Sequence, residues 1–310
     1  MTQNLPVWFT KKFETAVEQR YQQRDRRLAG AVSGGTQFIG DYAYFPRMGT
    51  VEMYDSPRFA QIALANAAMD WISLQAKPKF VLLGVWDPDK NKLSIDVANE
   101  YGIACANAGM RAEDRLIVDA LNNAAVNGVT TATTPSDAAA AQGSTTENIV
   151  TLGDYNTTLD LDLVANGLAQ LMTVEAFEGE DIIFVQPGKL KMNQSLDPLM
   201  YMSTVKGAEL PWSQLQFRNY ERLYGNSGTA ISQGDGQTGV DTYLFARSAV
   251  VSGYNDEMNK INDRIPGALT NVMGNWFQAG ATVRDAKGVI RLKSKYNITL
   301  ARHSMPVVTS

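Results

Sequence analysis

The residue types that most often carry chemistry in proteins are scarce in this chain. Cys105 is the only cysteine and His303 is the only histidine among 310 residues. A single histidine excludes multi-histidine metal sites, and it allows a Ser–His or Cys–His pair only through His303. Cys105 cannot form an internal disulfide, and its position inside a helical pattern predicts a small buried helix residue.

One acidic segment resembles a calcium-binding loop in its spacing. Asp87, Asp89 and Asn91 have the odd-position spacing of such a loop. However, Lys92 stands where the loop needs glycine, and Ala98 stands where it needs glutamate. The segment is therefore predicted to be a turn before a helix.

Two further motifs resemble ligand sites without their context. Gly234, Gly236 and Gly239 match the spacing of a dinucleotide-binding loop, but a β pattern follows them where that site needs a helix. Asp160 and Asp162 resemble a carboxylate pair, but they stand in the first turn of a predicted helix, where anions favour the helix dipole. We therefore predict a chain that is not an enzyme, with no catalytic, cofactor-binding or metal-binding residues.

Composition indicates a globular protein. The chain is 45% hydrophobic and 19% charged, and its length suits two domains or one large one. A net charge of -4 and a pI near 5.2 give no overall attraction to nucleic-acid phosphates. No apolar run approaches the roughly 20 residues that span a bilayer, and the first residues lack a secretory pattern. No membrane partner is expected.

Residues 95–126 predict one long helix. The segment contains no proline, is rich in alanine and leucine, and repeats apolar residues at three- and four-residue steps. Asn127 and Gly128 suit its C-terminal end. At 1.5 Å per residue it would be about 45 Å long, so it could span a molecule. Gly102 and Gly109, on one face, indicate close packing against a sheet or a neighbouring chain.

Residues 6–28 predict an amphipathic helix. Its apolar side is formed by Trp8, Phe13, Val17 and Tyr21. Its end is crowded by Arg20, Arg24, Arg26 and Arg27. Three interpretations stay open for these arginines: a solvated end that suits the helix dipole, an arm that pairs with carboxylates of a neighbouring chain, or a DNA contact.

The next region predicts a projecting hairpin. Ser33, Gly34 and Gly35 signal a hinge, and residues 36–59 are extended and rich in aromatic side chains. Residues 60–74 fit either a second hairpin arm or a short helix, and residues 80–86 fit a strand. Such a region has little core of its own and needs a partner surface.

The second half alternates between helix and strand patterns. Residues 128–153 are typical of a surface loop or a small β excursion. Residues 248–264 contain many polar residues and predict turns. Residues 159–177 predict a second helix whose core side is formed by Leu163, Leu168, Leu171 and Val174. Strands are predicted at 181–186, 217–223 and 240–247, and two more within 276–299 around a hairpin turn at 285–288.

This order of elements resembles the tailed-phage major capsid proteins with the HK97 fold. The opening LPVWFTKKFETAVEQRYQQRDRRLAGAV, the segments DSPRF and VWDPDKN, and the ending FQAGATVRDAKGVIRLKSK are similar to that family. Within the long helix, NAGMRAEDRLIVDAL resembles the family's pattern of Gly, Ala, Asp and Ile. The similarity covers most of residues 4–300.

The resemblance implies an α+β, HK97-like capsid fold with four parts. These are an N-terminal arm at 1–33, an extended β-hairpin loop (E-loop) at 34–93, a peripheral domain with the spine helix at 94–178 and 276–310, and an axial domain at 179–275. Some capsids of this fold form Lys–Asn crosslinks; Lys77, Lys79 and Asn297 are present here, without a basis for assigning a pair.

The implied function is that of a major capsid protein. It would self-assemble through hexamers and pentamers into an icosahedral virion shell around phage double-stranded DNA, in the host bacterial cytoplasm. Its implied partners are other copies of itself and, weakly and without sequence preference, the packaged DNA on the inner face. Scaffold, portal and decoration proteins are further partners of such shells. An encapsulin-like compartment shell with the same fold is the alternative.

Overall fold

The computed structural model describes most of the chain, which divides into two compact units. The described residues are 25–49, 51, 67–86, 97–135, 145–159, 161–173, 181–187, 215–220, 222–226, 228, 238–265 and 270–296. The first unit comprises Met1–Ala120, Thr130–Thr145 and Val251–Thr282. The second comprises Leu121–Val129, Thr146–Val250 and Val283–Ser310. The predicted peripheral and axial domains have different boundaries and stay a prediction.

The described residues form two α-helices and thirteen strands. The helices are α1 (Val97–Asn127) and α2 (Leu161–Thr173). The strands before α2 are β1 (Ser33–Gln37), β2 (Tyr42–Met48), β3 (Met69–Gln75), β4 (Lys77–Trp86), β5 (Val129–Thr131), β6 (Thr145–Glu147) and β7 (Val150–Leu152). Those after it are β8 (Ile182–Gln186), β9 (Leu215–Asn219), β10 (Gly239–Ala246), β11 (Val250–Ile265), β12 (Thr270–Val283) and β13 (Val289–Lys295).

Helix α1 confirms the predicted long helix and its end. It has 31 residues, which corresponds to about 46 Å. Gly128 adopts a left-handed φ of 78°, and its N–H donates to the Ala124 carbonyl at 3.0 Å. This geometry satisfies a carbonyl of the last turn and favours glycine, because a side chain is strained at positive φ.

The predicted close packing at Gly102 is wrong within the subunit. A Cβ placed on Gly102 would meet no atom within 4 Å, and the residue is exposed. Only the alternative of packing against a neighbouring chain stays a prediction there.

The first unit contains a four-stranded sheet and a separate hairpin. The sheet has the order β1-β11-β12-β4, in which β1 is parallel to β11 and β12 is antiparallel to β4. Strands β2 and β3 pair only with each other among the named strands, from Tyr42 opposite Gln75 to Met48 opposite Met69. The hairpin is thus confirmed, and residues 69–75 take the hairpin-arm alternative; residues 52–66 lie outside the description.

Two predictions in this unit are wrong. The hinge predicted at residues 33–35 lies in β1, where Gly34 approaches the Ser252 side chain so closely that a Cβ would collide with it. The turns predicted at 248–264 are mostly the long strand β11. Its polar residues hid the strand pattern in the sequence. The segment is nevertheless a strand, because sheet pairing overrides weak β propensity.

The second unit is a sheet covered by α2. The order is β7-β13-β10-β8-β9, with β10 antiparallel to both β13 and β8. The predicted core residues Leu163, Leu168 and Leu171 are buried, whereas Val174 lies outside the described residues. The whole apolar cluster comprises Leu159, Leu163, Val164, Leu168, Leu171, Ile182, Phe184, Leu215, Leu244, Ile290 and Leu292.

The remaining predicted elements are confirmed with shifted bounds, with two exceptions. The strand predicted at 217–223 is β9, which ends at Asn219, and one predicted connection is wrong. The β excursion alternative holds for the described parts of this range, 128–135 and 145–153, which contain β5, β6 and β7; residues 136–144 lie outside the description. Residues 285–288 do not form a hairpin turn, because β12 pairs with β4 and β13 pairs with β10 and β7. Asp285 instead caps a short 3-10 turn, accepting the Lys287 N–H at 2.9 Å, and the chain passes from one sheet to another.

Candidate functional site

The residues that the sequence marked for chemistry are not brought together in the described structure. Cys105 is buried, and that burial raises the pKa of its thiol, so the reactive thiolate is disfavoured. Asp162 is exposed in the first turn of α2, as predicted. Gly239 begins β10, and no helix opens there. The positions outside the described residues are Asp87, Asp89, Asn91, Lys92, Asp160, Gly234, Gly236, Asn297 and His303.

The described ranges contain neither a metal-type cluster nor a membrane-type helix. No group of three or more His, Cys, Asp or Glu side chains in them is placed to hold a metal ion. No described helix combines the length and the hydropathy needed to cross a membrane.

A buried charged cluster lies on one face of the sheet of the second unit. Asp241 is fully buried, and its Oδ2 accepts a hydrogen bond from Arg291 at 2.5 Å. The Tyr155 hydroxyl donates to Asp241 Oδ1 at 3.1 Å and accepts from Arg291 at 3.2 Å. The Tyr155 ring lies against Gly239, where a Cβ would collide with it, and Lys293 Nζ is 5.3 Å from its centroid.

The electrostatics of this cluster fit a structural role. Burial, and then the charge of Asp241, raise the pKa of the Tyr155 hydroxyl, so it stays a neutral donor. Burial disfavours the charged Arg291, but the hydrogen bond and charge of Asp241 outweigh it and raise the pKa of the guanidinium. Neither group is therefore adjusted to exchange protons near neutral pH.

One face of the β12–β4 ladder in the first unit carries exposed apolar side chains. Phe80, Leu82 and Trp86 alternate along β4 and are 77%, 48% and 44% exposed. Across the ladder, Trp276 pairs with Phe80 and Val272 pairs with Gly84, so they share this face, and both are partly exposed. We call these residues the sheet face.

The opposite face of the same ladder is turned toward α1. Asn275 pairs with Val81, one residue out of phase with the sheet face. With its amide oriented to satisfy both partners, Asn275 accepts from the Ala106 N–H at 3.1 Å and donates to the Gly274 carbonyl at 2.8 Å. The helix therefore contacts β12 on the side opposite to the sheet face.

The β2–β3 hairpin also carries an uncovered apolar face. Tyr44, Met48 and Met69 are 37%, 66% and 53% exposed, and the register places them on one side with Tyr42 and Trp71. The rings of Tyr42 and Tyr44 stack with centroids 6.4 Å apart. We call these residues the hairpin face. Two exposed apolar faces in one unit are typical of a protein that buries them against other molecules.

A third feature is the segment of residues 25–32, which we call the arm root. Its backbone is held by α1: Asp114 Oδ2 accepts the Arg27 N–H and Oδ1 accepts the Leu28 N–H, both at 2.9 Å. Residues 25–28 are bent and not helical, so the predicted helix of 6–28 is wrong over its last four residues. The rest of that prediction lies outside the described residues.

An ion pair accompanies this anchor. Arg26 Nε lies 2.6 Å from Glu113 Oε2, and the two side chains are 51% and 20% exposed. The pair lies at a cleft of about 510 Å³ that is also lined by Gly34, Tyr254 and Phe277. Solvent-exposed pairs contribute about 0–1 kcal/mol, whereas hydrogen bonds to a buried charge contribute about 1.5–3 kcal/mol each. Asp114 is fully buried and is therefore the stronger anchor.

Replacing Glu113 by glutamine tests whether the Arg26–Glu113 pair contributes less to stability than the hydrogen bonds of Asp114. Burial raises the pKa of Glu113 above its ordinary 4.5, and the charge of Arg26 offsets this only in part. The native state then binds the proton more tightly than the unfolded state, so stability falls as the pH rises above about 4.5.

We therefore expect Glu113→Gln to be at least as stable as the parent protein at pH 7, with the difference vanishing towards pH 4.5. Urea unfolding at several pH values measures the difference. The control is Asp119→Asn, which removes the carboxylate of the half-exposed pair with Arg115 on the same helix. If Glu113→Gln lowers the free energy of unfolding by more than about 1 kcal/mol at pH 7, the ion pair is a stronger anchor than we infer.

The sequence interpretation missed both buried carboxylates. Asp114 stands one turn before Ile117 and Val118, on the buried stripe of α1, and Asp241 interrupts the apolar strand VDTYLFAR on the side of Tyr243. A charge at an apolar position of a helix or strand period is the signal that could have marked them.

Comparison with known proteins places these features in a family context. A family profile described as phage capsid protein matches residues 5–193. Comparison with curated protein sequences gives no match.

Several solved structures share the fold of this chain. The capsid of Ralstonia phage GP4 has 12% identity and a TM-score of 0.63, covering 96% of this chain and 98% of that one. The capsid of cyanophage P-SCSP1u has 12% identity and a TM-score of 0.62, covering 93% of each chain. The mature capsid of bacteriophage PhiM1 has 12% identity and a TM-score of 0.61, covering 92% of this chain and 91% of that one.

Proposed function

We propose, from the premise that this chain belongs to the phage capsid protein family, that it tiles an icosahedral shell through hexamers and pentamers. The family match and the shared fold confirm the sequence-based prediction of a tailed-phage major capsid protein with an HK97-like fold, which forms the phage shell. The encapsulin-like alternative is not favoured, because the three similar structures described above are phage capsids.

The observation that carries the proposal is the pair of uncovered apolar faces in the first unit. Phe80 on the sheet face and Met48 on the hairpin face are 77% and 66% exposed in the single chain. The two faces are different surfaces, so a contact between them joins copies head to tail. Head-to-tail contacts close into rings when the rotation between copies allows it. We propose that the hairpin face of one copy covers the sheet face of the next.

We further propose a purely structural role around packaged double-stranded DNA. The net charge of -4 suits a shell lining that leaves the DNA unattached, because tight phosphate binding needs concentrated Lys and Arg. Assembly in the host bacterial cytoplasm, and the participation of scaffold, portal or decoration proteins, belong to this proposal as expectations from the family.

Particle formation by the purified protein tests the assembly. We expect rings or closed shells in electron micrographs of concentrated protein, and a concentration-dependent high-mass species in light scattering. A parallel preparation from phage-infected cells should yield particles that contain double-stranded DNA. A folded protein that stays monomeric at all concentrations, alone and with lysate from infected cells, would contradict the assembly. Shells that hold cargo protein in place of DNA would favour the compartment alternative.

Removing residues 1–24 tests the role of the arm, because it leaves Leu28 and the two N–H groups that donate to Asp114 in place. We expect the truncated chain to fold but to form at least tenfold fewer particles. The reason is that an arm that contacts neighbouring copies contributes to every contact in the shell. Losing about 1.4 kcal/mol at one contact lowers its affinity tenfold. Circular dichroism checks the fold, and sedimentation measures the particles. Normal particles at the parental yield would show that the arm is dispensable.

A further inference from the structure

Assembly into a shell does not by itself explain why Asp114 anchors the arm root. This residue belongs to the NAGMRAEDRLIVDAL segment of α1, yet it is fully buried and contacts a segment far away in the chain. Its two carboxylate oxygens accept the consecutive N–H groups of Arg27 and Leu28. We propose that Asp114 is the positioning residue of the N-terminal arm: it fixes the position and the direction of the chain at Arg27 and Leu28, where the described part of the arm begins to separate from α1. The proposal rests on the proposed function, in which the arm contacts neighbouring copies.

The geometry favours control of direction over simple attachment. A single hydrogen bond would let the peptide rotate about the bond axis. Two bonds from neighbouring N–H groups to the two oxygens of one carboxylate fix both the position and the orientation of the peptide between Arg27 and Leu28. Because residues 25–28 are not helical, the direction of the arm is not inherited from a continuous helix.

The chain is held firmly on the downstream side of this peptide. Leu28 and Ala31 are fully buried, and Val32 is 2% exposed. The Ala31 N–H donates to the Leu28 carbonyl at 2.8 Å, and β1 then pairs with β11 from Ser33 onward. The chain is therefore fixed from Leu28 onward, and the bonds to Asp114 extend this fixed part to the Arg27 N–H.

The ion pair next to the anchor cannot replace it. Arg26 is 51% exposed, so its attraction to Glu113 is screened by water and salt. Raising the salt concentration should therefore leave the arm root in place, whereas removing the Asp114 carboxylate should release it. This difference separates the proposed anchor from a general electrostatic attraction between the arm and α1.

Limited trypsin digestion of the full-length subunit tests the anchor directly. Trypsin cleaves after Arg26 and Arg27, and the residue that follows Arg27 is the fully buried Leu28, so the cleavage rate reports local opening of the arm root. We expect Asp114→Ala to raise this rate by at least about tenfold at low and at high salt, since it removes two charge-assisted hydrogen bonds. Asp114→Asn, which keeps one acceptor oxygen, should give a smaller increase. Asp119→Asn, an exposed carboxylate on the same helix, should stay within about twofold of the parent.

A merely structural role for Asp114 gives a different result. If cleavage after Arg26 and Arg27 rises only in proportion to global unfolding, as measured by urea on the same variants, the proposal is overturned. It is also overturned if Asp114→Ala forms normal shells at the parental yield. The digestion does not depend on assembly, so a parent protein that never forms shells would contradict the proposed function while the anchor is still tested. If Asp114→Ala does not fold, the same comparison is made with Asp114→Asn.

Discussion

Replacing Arg291 by methionine should lower the free energy of unfolding by about 3–5 kcal/mol, because it leaves a buried carboxylate without its cation. Asp241 is fully buried, and the Arg291 side chain is only 11% exposed. After the substitution, the Tyr155 hydroxyl remains a donor to Asp241, but a neutral donor does not compensate for a buried charge. Urea unfolding of the purified subunit, followed by tyrosine and tryptophan fluorescence, measures the change.

Two matched variants separate this effect from others. Arg247→Met removes an exposed arginine from the same unit and should change stability by less than about 0.5 kcal/mol. The double variant Asp241→Leu with Arg291→Met removes both charges and should recover most of the loss, because apolar replacement of a buried pair is often neutral. If Arg291→Met alone costs less than about 1 kcal/mol, the carboxylate reaches water or another partner and the interpretation is wrong.

Replacing Phe80 by serine should abolish shell formation while the subunit stays folded. Phe80 is 77% exposed in the single chain, so little of its burial is lost from the subunit itself. Burying such a side chain against another copy contributes about 1.5–3 kcal/mol, which corresponds to roughly a 10- to 150-fold change in affinity at each contact. The loss repeats at each contact of a ring, so the yield of closed particles should fall far more than the affinity of one pair.

The control for this variant is an exposed apolar residue outside both faces. Val126, near the end of α1, is 63% exposed, and Val126→Ser should assemble as the parent does. Met48→Ser, on the hairpin face, should reproduce the defect of Phe80→Ser if the two faces meet between copies. Sedimentation and electron microscopy measure particles, and thermal unfolding checks the subunits. Normal shells from Phe80→Ser would show that the sheet face does not lie in the interface.

Patterns that repeat along a single element were predictable from the sequence. The helical period of residues rich in alanine and leucine predicted the start of α1 within two residues and its end within one. Gly128 marked the point where the helix ends. Leu163, Leu168 and Leu171 were assigned to the core side of α2 from their spacing alone. These features depend on residues a few positions apart, which local periodicity records.

Pairings between distant segments were not predictable in the same way. The strand β11 carries a polar sequence and is a strand because β1 and β12 pair with it on both sides. The segment at 285–288 looks like a hairpin turn, but it links strands of different sheets. A turn signal shows that the chain bends, and it does not show which strand the chain meets afterwards.

By itself, the sequence determined the long helix, the second helix with its leucine core, the β2–β3 hairpin and the capsid-like order of elements. Only the tertiary structure decided that Asp114 holds the arm root, that Asp241 is neutralised by Arg291, and that one face of β4 is left uncovered. The reason is distance along the chain. Asp114 and Arg27 are 87 residues apart and Asp241 and Arg291 are 50 apart, so these bonds exist only after the chain has folded back on itself.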